Sequence, residues 1–235
     1  MPYSVLDADR IIQSLEVLSK RIYERFPQSG LFQVSNQLLA FGRNAQEDSV
    51  WVAKPIVLLR IASGLLVLML LVAAAWTLQT VDLPEETPRL VEWVTLLEAG
   101  INDVILIGAG IFFLLTAETR IKRRRALNSL HRLRAFAHVI DMHQLHKDPE
   151  RVLQRGQLTL STPKIDMTSF ELSRYLDYCS EMLSLAGKTA GLYAQSSEDP
   201  VVVDAVSEIE QLATGISRKI WQKLLILHIL DGRSL

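Results

Sequence analysis

Two apolar stretches of this chain, Pro55–Leu78 and Ile101–Ala117, bracket an acidic connection, and a block of basic residues follows the second. No other feature limits the fold as much. The first stretch, PIVLLRIASGLLVLMLLVAAAWTL, is long enough to cross a hydrocarbon core of ~30 Å at ~1.5 Å rise per residue. Its one charge, Arg60, lies near an end, where a long side chain can reach the interface. Trp51 and Trp76 flank it as interfacial anchors. The second stretch, INDVILIGAGIFFLLTA, is shorter and must borrow length from WVTLLEAG, which makes the span about 95–117. Borrowing places Glu98, Asn102 and Asp103 at its outer end, near headgroups, where polar groups are tolerated.

Charge sets the expected orientation. The connection holds Asp82, Glu85, Glu86, Glu92 and Glu98 against Arg89 alone, whereas Arg120, Lys122, Arg123, Arg124, Arg125, Arg132 and Arg134 follow the second span. Basic residues beside a span stay cytoplasmic, so both termini are expected in the cytosol and the loop outside. The first 50 residues are polar and amphipathic, with no short apolar segment leading to a small-residue cleavage site, so the first span reads as an uncleaved anchor. Lys122, Arg123, Arg124 and Arg125 are expected at anionic lipid headgroups, worth ~1 kcal/mol per residue near the surface. Net charge near −1 argues against general nucleic-acid affinity, and a single cysteine, Cys179, excludes an intramolecular disulfide.

No stretch sustains a strand-like alternation, so the expected class is all-α: a transmembrane hairpin with N- and C-terminal cytosolic helices in a bundle or coiled-coil-like domain. Residues 1–50 read as a helical hairpin, 51–117 as the membrane hairpin, 118–148 as a cytosolic extension of the second span, 149–167 as a loop and 168–235 as an antiparallel hairpin. In the first of these, a helix within residues 5–25 carries Val5, Ile11, Ile12, Leu15, Leu18, Ile22 and Tyr23, a break falls at Phe26–Gly30, and a shorter helix covers about Leu31–Phe41. The last hairpin is well punctuated. Thr168 and Glu171 form a capping-box pattern, and Asp199 with Pro200 marks a second helix start. The predicted stripes are Leu172, Tyr175, Leu176, Cys179, Met182, Leu183, Ala186, Ala190 and Tyr193, then Val202, Val206, Ile209, Ala213, Ile216, Ile220, Leu224 and Leu227.

The stretch Ala117–Lys147 holds the main chemical oddity. Beside an apolar stripe (Ala126, Leu130, Leu133, Ala137, Ile140) runs a polar one: His131, Arg134, His138 and Asp141. The stripe can be an interhelical face with Asp141 pairing Arg134 or His138, or a pH- or ligand-responsive element, since imidazole titrates near neutrality. A metal reading would use His138, Asp141 and Glu181 or Glu208, but no Glu-x-x-His pair occurs and no metal ligand or cofactor is assigned. Helical-bundle RNases of the HEPN class carry R-x4–6-H, a spacing that Arg132–His138 and Arg125–His131 satisfy by a short pattern, with Leu133 where that class has a polar residue.

The segments HRLRAFAHVIDMHQLHKDPE, YLDYCSEMLSLAGKTAGLYAQ and EIEQLATGISRKIWQKL resemble a family of bacterial two-span membrane proteins with no established activity. The resemblance implies a bacterial inner-membrane location and no catalytic residue. The leading expectation is a non-enzymatic inner-membrane protein whose cytosolic helices self-associate or dock an unidentified protein partner, with lipids as the other partner. A homo-oligomeric channel with Glu98, Asn102 and Asp103 at its outer mouth is the alternative. A membrane-anchored RNase is the third.

Overall fold

The computed structural model describes residues 5–80, 90–152 and 165–232. They form seven helices: α1 Ala8–Arg25, α2 Gly30–Ala53, α3 Val57–Thr80, α4 Leu90–Leu145, α5 Pro149–Val152, α6 Ser169–Ser196 and α7 Pro200–Asp231. No strand occurs among the described residues, so the class is all-α. The chain divides into two compact units, residues 54–122 and a unit made of 1–53 with 123–235. The single helix α4 contributes to both.

In the larger unit, local signals start and stop the helices. Asp7 caps α1 by accepting from the Asp9 and Arg10 amides. Thr168 and Glu171 make the expected capping box on α6. Asp199 accepts from the Val201 amide, with Pro200 opening α7. α2 runs twelve residues past the predicted Phe41, to Ala53. Gly42 does not stop it: a Cβ there would lie 2.7 Å from Leu15 Cδ1, so the glycine admits α1 at close range. Ala45, Ser49 and Val52 extend the buried face until Pro55 ends the helix. Of the expected 149–167 loop, Pro149–Val152 is a short helix, and 153–164 lies outside the described residues.

Cross-helix pairs give the packing directions. Glu16–Arg43 and Asp9–Gln46 run α1 antiparallel to α2. His143 against Gly30, Phe136 against Phe41 and Arg125 on Asp48 run α4 antiparallel to α2. Arg123–Asp199, Arg134–Glu208 and Lys223 on the Gln144 carbonyl run α4 parallel to α7. Helix α6 is the axis of the unit. It is buried on every side except a strip marked by Ser184 and Lys188, which hydrogen-bond each other. A helix apolar nearly all round must be enclosed by others. All of the predicted α6 stripe is buried, as is that of α7 apart from half-buried Leu224. The predicted apolar stripe of α4, from Ala126 to Ile140, is also buried.

In the smaller unit, α3 and the first part of α4 are long and apolar enough to cross a membrane, and their most apolar stretches are not buried by protein. Arg60 does not stand alone in its apolar surroundings. Its Nε and Nη2 donate to the Glu118 carboxylate at 2.6 and 3.3 Å, and that carboxylate also accepts from Lys122 Nζ (2.8 Å) and the Ile56 amide (3.2 Å). One carboxylate thus satisfies two cations and an orphan amide at the start of α3.

Candidate functional site

The polar stripe singled out in the sequence is split by the packing. Arg134 pairs with Glu208 of α7 at 3.0 Å, in an exposed bridge of small energetic weight. Spacing alone suggests that Asp141 pairs with Arg134 or His138; in the structure it accepts from Gln144 Nε2 at 2.6 Å. His131 and His138 are exposed. Glu181, considered beside His138 and Asp141, is instead held by Arg21 of α1 at 2.7 Å, so those groups are not brought together. No cluster of His, Cys, Asp and Glu suited to a metal occurs among the described residues.

The Arg132–His138 spacing lies on one helix, α4. Residues six apart on a helix point about 120° apart. Arg132 lies over the Phe41 ring on the α2 flank (5.7 Å to its centroid), while His138 is exposed. Of the expected outer-mouth groups, Glu98 and Asn102 are exposed, and the side chain of Asp103 lies outside the described residues.

The basic block divides too. Lys122 serves Glu118, Arg123 Nε donates to Asp199 at 2.6 Å, and Arg125 makes two bonds to Asp48 Oδ1 at 2.9 and 2.7 Å. Arg124 is exposed. Arg123 therefore binds the same carboxylate that caps α7, and Arg125 belongs to a network absent from the sequence reading. Asp48 Oδ2 accepts from Ser129 Oγ at 3.0 Å and from the Tyr193 hydroxyl at 3.4 Å. The Arg125 guanidinium also covers the Trp51 ring, 4.3 Å from its centroid. Ser129 is buried and burial pushes the Tyr193 phenol up to about 12, so the hydroxyl stays a donor at any physiological pH. Three helices, α2, α4 and α6, meet at one carboxylate.

The densest titratable cluster lies at the other end of the unit, where α4 stops. Lys223 Nζ donates to the Gln144 and Leu145 carbonyls at 2.7 and 3.3 Å, satisfying orphan acceptors at the C-terminus of α4. His143 is half-buried, with Nδ1 3.4 Å from the Tyr175 hydroxyl and its Cε1 edge directed at Gly30, where a Cβ would lie 2.6 Å from Cε1. Lys147 Nζ lies 5.1 Å from the centroid of the Tyr175 ring, against which Phe26 also packs edge-on at 5.5 Å. Burial holds Lys147 and Lys223 below the ordinary lysine value and pushes the Cys179 thiol up to about 12. Burial, then the charge of Lys147, holds His143 below its ordinary value. A neutral thiol of this kind is an inert core group.

This cluster was missed because His143 lies off both stripes of α4. Its signal in the sequence is the concentration of histidines between residues 131 and 146, which does not single out His143. No protein-family model, curated protein or solved structure matches the chain.

Proposed function

We propose that the chain is a non-enzymatic integral protein of the bacterial inner membrane, with both termini in the cytosol, whose helical domain self-associates. The observation that carries the topology is the division of the chain: the segment before α3 and the segment after Lys122 fold into one compact unit. For a two-span hairpin, this requires both flanks on the same side of the bilayer. The charge bias across the spans supports the cytosolic side, and the resemblance of the α4, α6 and α7 segments supports the bacterial inner membrane.

Association is supported by the outer surface of α7. Trp221, Leu225 and Ile229 stand at successive turns of that helix and are 61%, 44% and 45% exposed. Large apolar residues grouped on one face are a usual mark of contact surfaces. The test is the mass of the detergent-solubilised protein by light scattering. An oligomer that weakens in Trp221→Ser is expected. A strictly monomeric wild type at micromolar concentration would overturn the reading.

A further inference from the structure

His143 is the only one of the five histidines that is not exposed, and its surroundings are hostile to a positive charge. From α2 it meets the N-terminal end of the helix, the positive end of its dipole, with no acidic residue in the first turn. Just past the end of α4, its charged neighbour is Lys147. From α6 the facing groups are Tyr175 and, behind it, Cys179, both kept neutral by burial. On α7, Lys223 is held on the α4 carbonyls, with Asp148 and Asp141 offsetting its charge. The nearby carboxylates are engaged elsewhere: Asp141 by Gln144, and Asp148 by Arg151 at 3.7 Å.

We propose that His143 is an acid-sensitive latch: the neutral ring clamps the α1–α2 corner onto the end of α4 and onto Tyr175, and protonation expels the ring and releases that corner. The neutral ring fits because its Cε1 edge enters the space that a glycine leaves open and its Nδ1 meets a phenol. The imidazolium would add a cation beside half-buried Lys147 and a positive helix end, with the nearby carboxylates already engaged by Gln144 and Arg151. A ring that leaves uncovers Gly30 and frees the hydroxyl of Tyr175, the ring against which Phe26 packs at the corner. The linkage has a definite sign. Because the folded state holds His143 below its ordinary value, the unfolded or opened state takes up the proton first as pH falls through about 6.5. Closure is therefore complete above that pH and is lost as pH falls toward the value of the closed state.

The experiment uses the full chain in lipid nanodiscs, with Cys179→Ala and spin labels at Gln28→Cys and Met142→Cys, both exposed positions near the latch. Distance distributions are compared at pH about 7.5 and about 5.5, on either side of the imidazole range. One short, narrow distance is expected at the higher pH and an added longer population at the lower. His143→Gln, which cannot take the proton, should keep the narrow distance at both. Lys147→Gln, which removes a repelling neighbour, should shrink the longer population at low pH; this variant also decides the matter if His143→Gln fails to fold. A distribution unchanged by pH in the parent, the same opening in His143→Gln, or no effect of Lys147→Gln would each overturn the latch.

Discussion

Leu176→Ala should lower the stability of the larger unit by about 3–4 kcal/mol, in the range for truncating a fully enclosed leucine. Leu176 is fully buried on α6, the helix that the other long helices of the unit enclose. A cavity there has walls from different helices, which cannot all move inward together. The loss exceeds simple transfer of the removed methyl groups, because the vacated contacts are not replaced. Thermal unfolding of the solubilised protein, followed by circular dichroism, should show a clearly earlier transition. Ser184→Ala, on the one exposed strip of the same helix, should leave the transition almost in place. Equal effects of the two would contradict the placement of α6 at the centre.

Asp48→Ala is expected to be nearly as damaging, at about 2–3 kcal/mol, even though the residue lies on a segment that reads as polar. Its carboxylate is largely enclosed, its side chain only 15% exposed, and it accepts from Arg125, Ser129 and Tyr193 together. Removing it strands the Ser129 and Tyr193 hydroxyls without their acceptor and leaves the Arg125 charge uncompensated. The cost is that of orphaned groups rather than of one ion pair. Tyr193→Phe removes only one of the donors and should cost less. If the two substitutions shift the unfolding transition equally, the carboxylate is not the hub of this contact.

These two sites show what one chain of letters can convey. The α6 and α7 stripes were legible because their information is local: a cap at each start, a turn between them and an apolar repeat along one face. The two apolar helices were legible for the same reason, since length and composition alone define them. The end of α2 was not. The expected helix stops at about Phe41, yet beyond it Ala45 and Ser49 are buried and Asp48 supplies a largely enclosed carboxylate. Polarity on one turn does not say whether that turn faces water or a polar partner brought by another helix.

The histidines illustrate the same limit. Which flank of α4 meets α2 and which meets α7 is set by tertiary packing. His138 and His143 therefore look alike in sequence, although one is exposed and the other lies against Gly30. The basic block shows it once more. Its position beside a span suggests headgroups, while Arg123 and Arg125 find carboxylates on helices that lie far away in the sequence. Arg60 is a milder case: an interfacial cation by position, it is matched by Glu118, the one acid in a basic stretch.

The segment before the first apolar helix and the segment after the second fold into one unit, and the proposed topology sets that unit on one side of a membrane. Arg21 and Glu181 provide the direct test, since they bond at 2.7 Å across α1 and α6 and lie 160 residues apart in sequence. With Cys179→Ala as background, Arg21→Cys and Glu181→Cys should be joined by a short bis-maleimide reagent in intact membranes, giving an intramolecular product of altered mobility. Each single-cysteine variant should give none. Efficient labelling of both cysteines without that product, or labelling of the two from opposite sides of the bilayer, would contradict the account.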